Sequence, residues 1–99
     1  MLGLAMKAGK VATGEFSTEK AVKSKKAYLV VVANDASDNT KKNFQNMCRY
    51  YKISLKYYAS KEMLGHACGK HLRASLAITD KGLADQIVRN IEIYENMEV

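Results

Sequence analysis

The stretch AYLVVVA, Ala27 to Ala33, limits the fold more than any other part of the chain. It is uncharged, and its centre is a run of β-branched valines. A short continuous apolar run of this kind reads as a β-strand buried on both faces. Such a strand needs apolar cover above and below its sheet, and helices on both sides supply it.

Helical and extended patterns alternate along the chain. Met1 to Gly9 reads as a short helix closed by Gly9, and Lys10 to Thr13 as a short strand. Glu15 to Ser24 reads as a helix that Gly14 opens, with Glu15 at its positive end. After the buried strand comes the polar turn NDASDN, with Ser37 or Asp38 as a helix cap. Thr40, Phe44, Met47, Cys48 and Tyr51 then recur at helical spacing, which predicts an amphipathic helix over Asn39 to Lys52. Ile53 to Tyr58 and Ala74 to Thr79 read as further strands. Between them Ser60 caps a short helix that ends at Gly69. Asp80 caps a last helix whose apolar stripe is Leu83, Ala84, Ile87, Val88, Ile91 and Tyr94. The pattern predicts an α/β fold, a three-layer α/β/α sandwich with about four strands, formed by residues 1–99 as one domain.

The same features limit function. The longest apolar run is strand-sized, far short of the ~20 residues of a membrane span. Leu2 to Met6 is too short, and lacks a basic lead, for a signal peptide. The opening MLGLAMKAGK reads like the tail of a helix already under way, so native residues are expected before it. Two cysteines in a lysine-rich chain fit a reducing cytoplasm. Residues 1–79 hold 14 Lys and Arg against 5 Asp and Glu, whereas residues 80–99 hold 2 against 5. A basic body with an acidic C-terminal segment suits a polyanionic partner that avoids the C-terminus, or simply solubility.

Phe16, Lys20 and Lys23 fall within about 60° of one another on a helical wheel, opposite Thr18, Ala21 and Val22. A helix start carrying N–H groups, lysines and an apolar ring suits an RNA backbone and its bases. The plainer reading folds Phe16 back against the N-terminal helix as a staple. Lys23, Lys25 and Lys26 suit the negative end of the helix dipole. HACGKH brings His66, Cys68 and His71 together, yet Cys68 lies on the apolar face and His66 about 200° round from it. A structural zinc needs about four ligands, so no metal is expected. Neither a nucleophile elbow nor a phosphate-binding Gly-Lys loop is present, and no catalytic residue or cofactor is expected. Gly65 and Gly69 read as aids to close helix packing. GKHLRAS, Gly69 to Ser75, joins cations to small residues that would let a ligand approach, although by itself it reads first as an ordinary basic loop.

In order, GLAMKAGKVATGEFSTEKAVKSKKAYLVVVANDASDNTKKNF, CRYY, LGHACGK and LAITD resemble the small bacterial YlxQ-type ribosomal proteins. These belong to the larger family of kink-turn RNA-binding ribosomal proteins. The resemblance spans about Leu2 to Ile91, and its combination of pieces is more specific than any one of them. It implies a mixed four-stranded sheet and two RNA grips. One is the helix start from Gly14 to Lys20, including Glu15, Phe16 and Ser17. The other is the loop Leu72, Arg73, Ala74 and Ser75, with Asn34 and Asp35 beside them. By position Gly14 allows close approach, Lys20 meets phosphate or a base edge, and Arg73, Ala74 and Ser75 rest against protruding bases. Lys23 adds charge.

Three departures stand out. Phe16-Ser17 replaces the polar pair that reads sheared G·A pairs. The loop before the last strand is a residue shorter, with Arg73 where a small residue or proline is usual. Lys25 stands just past a helix where relatives often carry glycine. The resemblance implies a non-enzymatic binder of structured RNA, ribosomal or otherwise kink-turn-like; a cytoplasmic monomer with no membrane or small-molecule partner is expected. The competing reading is a protein-interaction module, docking through Phe16 with Met1 and Leu2.

Overall fold

A computed structural model describes residues 2–97. The elements are α1 (Leu2–Lys7), β1 (Val11–Thr13), α2 (Glu15–Lys23), β2 (Leu29–Val32), α3 (Asp38–Tyr51), β3 (Ser54–Tyr57), α4 (Lys61–Ala67), β4 (Ser75–Ile78) and α5 (Lys81–Met97). The sheet runs β1-β4-β2-β3 and is mixed: β2 and β3 are parallel, while β4 is antiparallel to both β1 and β2. Helices flank it on both faces, as the buried valine run predicted, and the mixed sheet is the one the resemblance implied.

The valine run occupies a central position, and every residue of β2 and of β4 is buried. Alternation divides these strands between two layers. Val31 lines a cleft with Leu2, Leu64 and Ile87, so Val31 and its partner Leu76 face α1, α4 and α5. Val32 and its partner Ser75 therefore face the other layer, where α2 packs on β1, β4 and α3. Small Ala77, and Ala12 opposite it, lie on that side and let α2 come close. Thr18, Ala21 and Val22 form the buried side of α2. Phe44, Met47 and Cys48 do the same for α3.

The helix starts follow the cap residues. Ser37 Oγ accepts from the Thr40 N–H, Ser60 Oγ from Met63, and Asp80 Oδ2 from Leu83. Helices α1 to α4 end alike, with a left-handed residue and two N–H groups folded back. These are Gly9 to Met6 and Lys10 to Ala5, Lys25 to Val22 and Lys26 to Ala21, Lys52 to Arg49 and Ile53 to Cys48, and Gly69 to His66 and Lys70 to Gly65. Glycine fills the left-handed position twice, and lysine fills it twice, at Lys25 (φ 62°) and Lys52 (φ 58°). A side chain with a Cβ pays for that conformation. Lys25→Gly is therefore expected to raise stability by about 0.5–1 kcal/mol, read as an upward shift in thermal melting. An unchanged or lower melting temperature would contradict the strain at Lys25.

Candidate nucleic-acid interface

The end of β1 passes straight into α2 through Gly14. Its backbone (φ 91°, ψ 161°) lies where L side chains rarely go. The Gly14 N–H donates to the Ser75 carbonyl at 3.0 Å, and the Gly14 carbonyl accepts from Thr18 N–H at 2.9 Å. The start of β4 is thus fastened to the start of α2. Among the described residues no side chain caps α2, in contrast to α3, α4 and α5. Its first turn keeps N–H donors and the positive end of the helix dipole for an incoming anion.

Arg73 lies over this opening. A Cβ placed on Gly14 would come within 3.9 Å of the Arg73 Cδ and Nε atoms. The Arg73 guanidinium also donates to its neighbouring Leu72 carbonyl at 2.7 Å. The α4–β4 loop that carries Arg73 is held from several sides. Arg73 N–H donates to the Lys61 carbonyl, Ala33 N–H to Ala74, and Lys70 N–H to Gly65. Gly65 is where the loop crosses α4: a Cβ there would lie 1.7 Å from the His71 carbonyl oxygen. Gly65 therefore admits the loop backbone, not a neighbouring helix. Gly69 has open space around its Cβ direction and serves as the left-handed cap.

The structure brings Gly14, Phe16, Ser17, Lys20, Leu72 and Arg73 to the surface around this junction, Arg73 and Gly14 being half-buried. Lys20 is exposed and takes part in no ion pair among the described residues. Lys23 is also exposed, but it pairs with Glu19 at 2.8 Å. The hydrogen bond and charge of Glu19 raise the Lys23 pKa. Glu15 turns toward α3, where its carboxylate accepts from the Thr40 hydroxyl at 3.4 Å.

Four sequence expectations change. Ser75 is fully buried, so its side chain does not rest against bases. Its position on the α2/α3 face follows from strand alternation, and its Oγ finds no partner among the described residues. Asp35 supports the site from below: its Oδ1 accepts from the Lys61 N–H at 2.8 Å. Asn34 N–H similarly donates to Ala59. Because Lys61 also holds Arg73, the Asn34–Asp35 turn positions the loop through α4. Phe16 makes no staple, since it is 79% exposed. The docking patch of Phe16 with Leu2 does not assemble either, because Leu2 lines the cleft on the opposite layer. Met1, also assigned to that patch, lies outside the described residues.

The HACGKH side chains diverge, Cys68 inward and His66 and His71 into solvent. Burial pushes the Cys48 thiol up to about 11 and raises that of Cys68, where Arg73 and Lys70 oppose the effect. Both thiols stay protonated near neutral pH, which leaves them poor nucleophiles. Among the described residues no helix is long and apolar enough to cross a membrane.

Comparison with known proteins agrees with this architecture. The chain is 40% identical to the RNA-binding protein YlxQ of Bacillus subtilis over 88 residues, 89% of this chain and 88% of that one. It is 36% identical to the large ribosomal subunit protein eL30 of Branchiostoma belcheri, covering 98% of this chain and 86% of that protein. A solved structure from Bacillus halodurans superimposes with a TM-score of 0.88 at 36% identity, covering 92% of each chain. The Giardia lamblia 15.5kD RNA binding protein shares the fold, with a TM-score of 0.75 at 22% identity over 91% of this chain and 77% of its own. Residues 1–88 match the family described as ribosomal protein L7Ae/L30e/S12e/Gadd45, and the chain belongs to that family.

Proposed function

We propose that this protein binds structured RNA, a ribosomal or other kink-turn-like element, across the junction of α2 with the α4–β4 loop. The observation that carries the reading is Arg73 lying over Gly14. It joins two segments far apart in sequence into one surface, with Lys20 exposed beside an uncapped helix start. Membership in a family of non-enzymatic proteins agrees with the lack of a catalytic constellation in the sequence. The names of the relatives, an RNA-binding protein and a ribosomal subunit protein, support the same class of partner.

In this reading the first-turn N–H groups of α2, Lys20 and Arg73 take phosphates, and Gly14 lets the backbone come close. Lys23 contributes once its pairing with Glu19 loosens. Leu72 and Ala74 offer apolar contact to bases that protrude from the bend. The protein acts as a cytoplasmic monomer.

The test is titration of a labelled kink-turn RNA, alongside a copy with its G·A pairs replaced, across a salt series. Two or three neutralised phosphates give a log–log salt slope of roughly −2 to −3. Preference for the intact kink-turn would support kink-turn recognition, and equal binding would leave a general binder of structured RNA. Absence of binding to both at low salt would reject the proposal.

A further inference from the structure

Phe16 offers an aromatic face that the fold does not use. Its ring is 79% exposed, on a helix whose other side is buried against the sheet. Neither a ring contact nor a cation contact engages it among the described residues. A ring left in water forgoes the burial that a core position would supply. Phe16 also borders an open hollow of about 490 Å³, shared with Glu19, Lys20, Lys23 and Ser24.

The chemistry of the hollow narrows its occupant. Among the described residues Phe16 is its sole large apolar side chain, and the rest of the lining is charged or hydroxylic. An apolar protein patch would match the ring but would strand its own surface against two lysines and a glutamate. An unpaired nucleobase matches both parts: its π-face suits the ring, and its phosphate suits the ammonium group of Lys20. Phenylalanine carries no donor or acceptor, so it cannot read the edge of a paired guanine.

We propose that Phe16 is a stacking platform for one unpaired base of the bound RNA, making an extruded base, not the edge of a G·A pair, the feature read at this position. The proposal rests on the RNA-binding reading above. The ring accepts any base and favours purines through their larger stacking area. Selectivity at this point is therefore for RNA with a free base near the bend.

The experiment uses a kink-turn RNA with 2-aminopurine at each unpaired position of the bend in turn, and matched copies made abasic there. Wild type, Phe16→Ala, Phe16→Trp and Lys20→Ala are compared. Because Phe16 is exposed, the alanine variant is expected to fold normally, which circular dichroism verifies. Wild type and Phe16→Trp should quench 2-aminopurine at one position. Phe16→Ala should bind the intact RNA about 5- to 100-fold more weakly. On the RNA abasic at that position, wild type should fall to the level of Phe16→Ala, and the two should no longer differ. Equal binding of intact RNA by wild type and Phe16→Ala would remove the platform. If Lys20→Ala still weakened binding, the RNA interface would stand without it. Losses from Phe16→Ala and from the abasic site that simply multiply would also overturn the stacking contact. If wild type bound neither RNA at low salt, the underlying reading and the platform would fall together.

Discussion

Gly65→Ala is expected to lower the melting temperature by up to roughly 15 °C. The added methyl would sit 1.7 Å from the His71 oxygen, 2.5 Å from its carbonyl carbon and 3.0 Å from the Leu72 nitrogen. All three are backbone atoms, so no rotamer change relieves the clash. Overpacking of this kind costs about 1–3 kcal/mol. For a domain of this size each kcal/mol moves the melting point by about 4–8 °C. The gain in helix propensity, about 1 kcal/mol, offsets only part of this. Relief requires the α4–β4 loop to lift, and Arg73 moves with it, so RNA binding should fall as well. Gly3→Ala in α1 is the control, since no described residue outside its own helix turn lies within 4 Å of its added Cβ. A Gly65→Ala melt no lower than that of Gly3→Ala would show that the loop does not cross α4 here.

Reversing the two cations at the junction is expected to weaken binding to structured RNA by about 100-fold or more. The variant is Lys20→Glu with Arg73→Glu. Among the described residues Lys20 has no ion pair to lose and the Arg73 guanidinium holds only the Leu72 carbonyl, so little of the fold depends on either charge. A phosphate facing two carboxylates loses attraction and meets repulsion, each contact being worth about 1–3 kcal/mol. The salt slope should also flatten by about 2. Lys81→Glu with Arg89→Glu makes the same change of charge on α5 and should leave binding nearly intact. Similar losses from both pairs would mean that net charge, not the junction, governs affinity.

What could be read in the sequence was what local patterns encode. The valine run named a central strand because a both-sided apolar run has few other homes. Thr18, Ala21 and Val22 named the buried side of α2, and the capping residues marked three helix starts. What escaped depends on distant backbone atoms. Asp35 looked like part of a turn beside the RNA, and nothing local reveals that its carboxylate holds the Lys61 N–H. Gly65 looked like a helix-packing glycine, although what it admits is a loop returning from the end of its own helix. Ser75 is instructive, because strand alternation alone would have turned it inward: it sits next to Leu76 in a strand buried on both faces. The positional analogy placed it against RNA and overrode that signal. Phe16 went the other way. The wheel put it outside and only the staple reading pulled it in, so the periodicity was the better guide.

The hydrogen bond from Gly14 to Ser75 belongs to the pairing of β1 with β4, strands drawn from opposite ends of the chain. Neither half of the proposed binding surface is complete without it. Contacts between such distant segments carry a loop-closure cost that local helices do not, and they tend to form late. A chain emerging from its own synthesis would lack that surface until β4 reached back to β1. On the proposed reading, folding itself would set the moment at which binding could begin.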